Sequence, residues 1–173
     1  MKRIALLVTL VTFSAAPAMA HEGAGIASGF AHPFLGADHL IAMFAVGAWA
    51  AMQGGRAMWM LPSAFLAAMV AGAAAGLGGW ALPAVELTIA ASAILFTGLV
   101  LARIRMPDWC GAAVVVVFAL AHGHAHGAEI PAMTNAVLYA AGFLTATALI
   151  IALGALMALG ASRVSSRARP ISH

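Results

Sequence analysis

The sequence contains very few charged residues. Eight basic and five acidic side chains make up only 8% of the 173 residues. Soluble domains carry about 25% charged residues, because their surfaces face water. Hydrophobic residues make up 64% of the chain, and the mean hydropathy is +1.04. These values exclude a soluble protein and predict an integral membrane protein.

Cysteine is also scarce, since Cys110 is the only one in the chain. An intrachain disulfide is therefore excluded. The formal net charge of +3 does not indicate a nucleic-acid partner, because the basic residues lie between hydrophobic stretches. The length is enough for one membrane domain and leaves no room for a separate soluble domain.

The N-terminal residues have the pattern of a secretory signal peptide. Lys2 and Arg3 precede an apolar run over 4–13, and small residues follow up to Ala20. A basic start, a short apolar segment and an A-x-A site are typical of cleaved signals, so we predict one over 1–20. The alternative is an uncleaved first transmembrane helix. Cleavage would leave His21 first, with its α-amine and imidazole both able to bind a metal.

Five further apolar stretches approach the roughly 20 residues needed to cross a bilayer. They predict an all-α, polytopic membrane helix bundle of about five transmembrane helices within residues 21–162, followed by a basic tail over 163–173. The fourth stretch has few apolar residues before His122, so its outer end is expected to be either irregular or buried in protein. The five stretches lie near 36–53, 57–77, 84–102, 110–126 and 135–160.

The arginines indicate the orientation of the chain. The loops 78–83 and 127–134 contain no lysine or arginine, whereas every other connection and the tail are basic. By the positive-inside rule, the mature N-terminus is then periplasmic and the C-terminus cytoplasmic, in a bacterial inner membrane. Small residues such as Gly72 and Gly76 permit close helix packing, and a homo-oligomer formed through such faces is one option.

Histidines and acidic residues gather on the predicted outer side. Six of the seven histidines and four of the five acidic residues map there. Ionisable side chains cost free energy in a bilayer unless they are paired or reach water, so they indicate function. These residues are His21, His32, His39, His122, His124 and His126, with Glu22, Asp38, Glu86 and Glu129.

The first cluster of these residues surrounds a predicted helix start. Pro33 and Gly36 predict a turn, which places Asp38 and His39 in the first turn of the helix that follows. A continuous helix would put His32 and His39 on one face, and a bent start would fold His32 back towards His39. Either geometry can bring two imidazoles near one ion.

The second cluster is the segment His122-Gly-His-Ala-His-Gly-Ala-Glu129. On a helix, His122 and His126 share a face and His124 points away. In an extended segment all three would point the same way. The glycines at 123 and 127 permit either conformation.

Together the two clusters predict a metal site. Imidazole suits nickel, copper, zinc and iron, and carboxylates broaden the choice, so residue chemistry does not rank nickel against cobalt or zinc. No organic cofactor and no catalytic residue is indicated. Glu86 is a candidate for supporting a ligand histidine or for exchanging a proton. The candidate metal ligands are His32, Asp38, His39, His122, His126, Glu129, His124 and His21.

Two motifs resemble those of the HupE/UreJ family of membrane proteins. They are HPFLGADHLIAMFAVG at 32–47 and HGHAHGAE at 122–129, and the resemblance extends over the whole mature chain. It implies uptake of nickel, or sometimes cobalt, for nickel enzymes such as hydrogenase or urease. It also implies that the metal is carried by His32, Asp38, His39, His122, His126 and Glu129.

A permease is therefore the leading expectation, and we do not expect an enzyme. One alternative is an intramembrane metal-dependent hydrolase, and the other is an accessory subunit that captures metal without transporting it. Few polar residues follow inward of His39, chiefly Gln53, Ser63 and Thr97, which weighs against transport. Protons compete for histidine, so metal binding should weaken as the pH falls through about 6.

Overall fold

A computed structural model describes residues 25–130 and 135–167, and every regular element among them is helical. The predicted signal peptide, His21 and the end of the basic tail lie outside the described residues. The all-α prediction is confirmed for the rest. The elements are α1 (Gly25–Ala31), a 3₁₀ turn (His32–Phe34), α2 (Ala37–Gln53), α3 (Ala57–Leu77), α4 (Val85–Leu101), α5 (Asp108–Ala128) and α6 (Ala136–Arg167).

The described helices provide three to four candidate membrane spans. The helices α3, α5 and α6 are each long and apolar enough to cross, and α1 with the 3₁₀ turn and α2 forms a broken pair that passes the same test together. The sequence predicted five spans. The difference arises because α2 and α4 have 17 residues each, about 26 Å of helix, against a hydrocarbon core of about 30 Å.

The helix before α2 is sharply bent. The pair Gly25–Phe34 and Ala37–Gln53 turns by 82°. Pro33 lies in the 3₁₀ turn, and Gly36 has an extended backbone that ends one helix and allows α2 to begin at Ala37. The predicted turn at Pro33 and Gly36 is confirmed. This bend turns His32 back over the end of α2.

The helices α3 and α5 pack closely through glycines. Gly72 and Gly76 of α3 lie against the backbone of α5, while Gly123 and Gly127 of α5 lie against the backbone of α3. A Cβ atom at any of these four positions would overlap a carbonyl group of the neighbouring helix. The face of Gly72 and Gly76 is therefore occupied within one chain and is not available for association between copies.

The outer end of the fourth predicted stretch is a regular helix that is buried in protein, so the second of the two alternatives is confirmed. Helix α5 continues through all three histidines to Ala128. Its glycines at 123 and 127 serve the packing against α3 and do not unwind the chain. A continuous helix also satisfies the backbone hydrogen bonds that membrane depth would otherwise leave unpaired.

The two ends of the bundle differ in their polar residues. At one end, the Trp49 Nε1–H and the Gln53 amide of α2 donate to carbonyl oxygens in the segment between α4 and α5, which also carries Arg103 and Arg105. His39 lies at the start of α2, about 21 Å along the helix axis from Gln53. The histidines thus gather at the opposite end from these arginines.

Candidate metal centre

Three histidines form an inner group at one end of the bundle. His39 from α2 and His122 and His126 from α5 each offer a ring nitrogen, and the three nitrogens lie within 4.8 Å of one another. The ring centroid of His39 is 4.8 Å from that of His122 and 4.6 Å from that of His126. His122 is fully buried and His126 is 4% exposed. This spacing suits three ligands around one ion.

A second, outer group shares one of these histidines. His32, His126 and Glu129 also offer ligand atoms within 4.8 Å of one another. The His32 Nε2 lies 3.3 Å from the Glu129 Oε2, and the His32 ring is 4.8 Å from that of His126. Glu129 is half-exposed, so this group is the more accessible of the two. His126 therefore connects an exposed group to a buried one.

The helical form of α5 decides which histidines meet. His122 and His126 are one turn apart and face the same neighbours, as the helical alternative predicts. His124 faces elsewhere: its Nε2 lies 2.6 Å from the carbonyl oxygen of Trp80, to which it donates. His124 thus ties the loop between α3 and α4 to α5, and it belongs to neither group among the described residues.

Asp38 orients His39. The Asp38 Oδ1 accepts hydrogen bonds from the His39 backbone N–H at 2.9 Å and from its Nδ1 at 3.0 Å. A carboxylate bonded to one ring nitrogen fixes the tautomer and directs the other nitrogen to a metal. The Nε2 of His39 is buried and has no hydrogen-bond partner. It is the atom that remains available as a ligand.

Unpaired polar atoms concentrate in these histidine rings. Among the described residues, six buried side-chain nitrogen or oxygen atoms lack a partner, and five of them are histidine nitrogens. Leaving a buried polar atom unpaired costs about 1–3 kcal/mol. A metal ion bound by the inner group would satisfy one ring nitrogen each of His39, His122 and His126, whereas His124 lies outside both groups. The six atoms are His39 Nε2, His122 Nδ1, His124 Nδ1, His126 Nδ1, His126 Nε2 and Thr147 Oγ1.

Aromatic rings surround the histidines. The Phe143 ring centroid lies 4.1 Å from that of His126, and the Phe65 ring lies 5.7 Å from that of His122. Such an apolar surround disfavours the charged form of imidazole and favours the neutral, metal-binding form. At the exposed edge, the hydrogen bond with His32 holds the pKa of Glu129 below its ordinary value, although partial burial acts in the opposite direction.

A small cavity adjoins His126. It has a volume of about 30 Å³ and is bounded by Met69, Tyr139 and Phe143 among others. This is about the volume that one water molecule occupies in the liquid. The cavity beside His126 is therefore large enough for one water molecule and too small for an organic substrate.

Two further predicted site residues stand apart. Glu86 lies in the first turn of α4, is exposed, and belongs to neither group in the part of the chain that the structure describes. His21 lies outside the described residues. One buried polar residue was missed: Ser92 of α4 contacts His122. A serine in the middle of an apolar helix was the signal that could have found it.

The fold and this site define a multi-pass helical membrane protein with a histidine and carboxylate cluster at one end. The chain belongs to the HupE/UreJ family, whose model, described as "HupE / UreJ protein", matches residues 7–172. The family predicted from the two motifs is thereby confirmed.

A curated relative supports this assignment. The chain is 43% identical over 153 residues to Protein HupE of Rhizobium leguminosarum bv. viciae, which covers 86% of this chain and 80% of the relative. No solved structure matches the chain.

Proposed function

We propose that the protein is a permease that takes up nickel, or cobalt, from the periplasm for the maturation of nickel enzymes such as hydrogenase or urease. The observation that supports this best is the position of His126, which belongs to both groups of ligand atoms. A site that only stores a metal needs one group. Two groups that share a ligand give an ion two neighbouring positions, one of them more exposed.

An ion that moves from one position to the other exchanges two of its three protein ligands and keeps the third. The ion is first held by His32, His126 and Glu129, at the exposed edge. It then exchanges His32 and Glu129 for His39 and His122 while it keeps His126. Loss of the negatively charged Glu129 weakens the hold on the ion as it moves inward. The membrane potential favours inward movement of a divalent cation.

The proposed topology follows from charge and length. The bent pair of α1 and α2 counts as one span and α4 as another, which gives five with α3, α5 and α6. The histidine end faces the periplasm, and the end with Arg103 and Arg105 faces the cytoplasm, in accordance with the positive-inside rule. The signal peptide over 1–20, the membrane domain over 21–162 and the tail over 163–173 belong to this proposal.

One observation favours a second candidate, an accessory subunit that captures metal without transporting it. Inward of His39 on α2, the buried neighbours are apolar and include Met43, Val46 and Trp49. Apart from His122, Ser92 and Thr147 are the only polar side chains that are fully buried in the described part of the chain. An inward path would need the helices to separate beneath the histidines.

The hydrolase alternative is weakened by the size of the space available. Sites for organic ligands typically have volumes of about 300–1,000 Å³. The cavity beside His126 has about 30 Å³. A substrate with a scissile bond would not fit in that cavity without a rearrangement of its walls.

Nickel uptake into proteoliposomes tests the proposal. The mature protein, its His39→Ala variant and its His124→Ala variant are reconstituted, and radioactive nickel inside the vesicles is counted. We expect uptake by the wild type and by His124→Ala, and loss of uptake in His39→Ala. His124 is the matched control, because it is a histidine at the same end but lies outside both groups.

A parallel binding measurement separates the two candidates. Isothermal titration with nickel in detergent reports capture without transport. Tight binding by the wild type without uptake would contradict the permease and support the accessory subunit. Absence of both binding and uptake would contradict both.

A further inference from the structure

Ser92 carries a buried hydroxyl that contacts a histidine of the inner group. It lies on α4 and is fully buried. Its Oγ is 2.6 Å from the carbonyl oxygen of Ile89 and 2.8 Å from the Nε2 of His122. His122 is also fully buried, and its other ring nitrogen, Nδ1, has no hydrogen-bond partner.

The two short contacts determine where the protons lie. A serine hydroxyl has one proton to donate, and a carbonyl oxygen can only accept. If Ser92 donated to His122, its oxygen and that of Ile89 would face each other at 2.6 Å with no proton between them. Ser92 therefore donates to Ile89 and accepts from His122, whose Nε2 must carry a hydrogen.

We propose that Ser92 is a positioning residue that holds His122 in the Nε2–H tautomer, so that His122 offers its Nδ1 lone pair to the metal. The part of this inference that concerns metal rests on the proposed function. The tautomer itself follows from the hydrogen bonds alone. A neutral imidazole has one donor and one acceptor nitrogen, so fixing the first fixes the second.

The arrangement differs from that of the neighbouring histidine. At His39 the Asp38 carboxylate engages Nδ1 and leaves Nε2 free. At His122 a neutral hydroxyl engages Nε2 and leaves Nδ1 free. The inner group therefore presents a mixed set of ring nitrogens to the ion. A carboxylate makes its histidine a stronger donor than a hydroxyl does, so His122 is the weaker ligand of the two.

Nitrogen-15 NMR of histidine measures the tautomer directly. The metal-free mature protein, labelled at the histidine ring nitrogens, is recorded in detergent at neutral pH, and His122 is assigned by its absence from the spectrum of His122→Gln. We expect a protonated Nε2 and an unprotonated Nδ1. A protonated Nδ1 in the wild type would overturn the proposal without need of any other variant.

Two variants of Ser92 test its role, with a control on the same helix. Ser92→Ala should convert His122 to a mixture of tautomers, and Ser92→Thr, which keeps the hydroxyl, should restore the single form. Thr88→Val is the control, since Thr88 also bonds a carbonyl of its own helix, that of Ala84, but contacts no histidine in an observed hydrogen bond. A tautomer in Ser92→Ala identical to that of the wild type would overturn the proposal.

Nickel titration of the same samples separates this inference from the proposed function. Ser92→Ala should bind nickel about 10- to 100-fold more weakly, the usual effect of losing a group that supports a ligand histidine. The expected tautomer without nickel binding in the wild type would uphold the role of Ser92 and contradict the permease. Nickel binding with the opposite tautomer would contradict the role of Ser92 and leave the metal site of the proposed function standing.

Discussion

The two ends of α2 bury polar groups in different ways. At the end near the arginines, the Trp49 Nε1–H and the Gln53 amide each donate to a backbone carbonyl at 2.9 Å. At the other end, the Nε2 of His39 is buried without a partner, as are both ring nitrogens of His126. Paired groups stabilise the fold, whereas unpaired ones lower its stability. The contrast indicates that the first end holds the helices together and the second is kept ready for a ligand.

The largest effect should come from removing the histidine that the two groups share. His126→Ala takes one ligand from each group, so both positions for the ion are lost. Since even a supporting residue costs about 10- to 100-fold in metal affinity, we expect nickel binding to fall by at least about 100-fold. Isothermal titration measures the loss. Thermal unfolding of the metal-free variant measures the separate cost of the cavity left beside Phe143, since the deleted nitrogens have no hydrogen-bond partner to lose.

The control for this prediction is His124→Ala, on the same helix and two residues away. Its Nε2 bonds to the carbonyl of Trp80 and lies outside both groups. We expect nickel affinity to stay within about twofold of the wild type, a change of about 0.4 kcal/mol. Equal losses in the two variants would mean that the histidines act as a diffuse cluster and not as two defined groups.

A change in helix spacing should have the next largest effect. A Cβ atom at Gly123 would overlap the carbonyl of Met69 on α3, and a backbone carbonyl inside a helix cannot move aside by itself. We expect Gly123→Ala to lower the free energy of unfolding by about 1–3 kcal/mol, the range for overpacking. It should also weaken nickel binding, because His122 is the preceding residue.

Gly98→Ala is the matched control for this substitution. Gly98 lies inside α4, and a Cβ there would meet nothing within 4 Å. Alanine favours a helix over glycine by about 0.5–1 kcal/mol, so stability should be unchanged or slightly raised. Thermal unfolding of both variants checks the pair. Destabilisation by Gly98→Ala to the same extent as by Gly123→Ala would show that glycine content, and not close packing, determines stability here.

Removing the charge at the exposed edge should have a smaller effect. Glu129→Gln keeps a group able to bond to His32 and loses the negative charge. We expect nickel affinity to fall about 10-fold, equivalent to about 1.4 kcal/mol. Because the pKa of Glu129 lies below its ordinary value, the carboxylate stays charged as the solution is made mildly acidic. The ratio of wild-type to variant affinity should therefore be the same at pH 7.5 and pH 6.0. A ratio that shrinks at pH 6.0 would contradict this account.

Much of this contrast between the ends could be predicted from the sequence. The scarcity of charge indicated a membrane bundle, and the positions of the histidines indicated that they meet at one end. The spacing of His122 and His126 predicted a shared face on a helix, with His124 pointing elsewhere. These features depend on composition and on helical periodicity, which a sequence carries locally.

Other features depend on which helices become neighbours. Ser92 and His122 are 30 residues apart, and nothing local predicts that α4 places that serine on an α5 histidine. The sequence also did not indicate which helix packs on Gly72 and Gly76, and in the structure this helix is α5. These features are set by tertiary packing, which the local sequence does not reveal.

The smallest expected effect comes from a change at the end of the bundle that carries Arg103 and Arg105. It tests whether the two ends of the bundle act independently. Gln53→Met keeps the side-chain volume but deletes the amide that donates to the Met106 carbonyl. Loss of one neutral hydrogen bond should cost about 1 kcal/mol of unfolding free energy, measured by thermal unfolding. Nickel affinity should not change, since Gln53 is about 21 Å along α2 from His39.

Uptake should not change either, because this amide is already engaged in holding α2 to the segment before α5. A variant that binds nickel normally but takes up less would place Gln53 on the route of the ion and contradict the separation of the two ends.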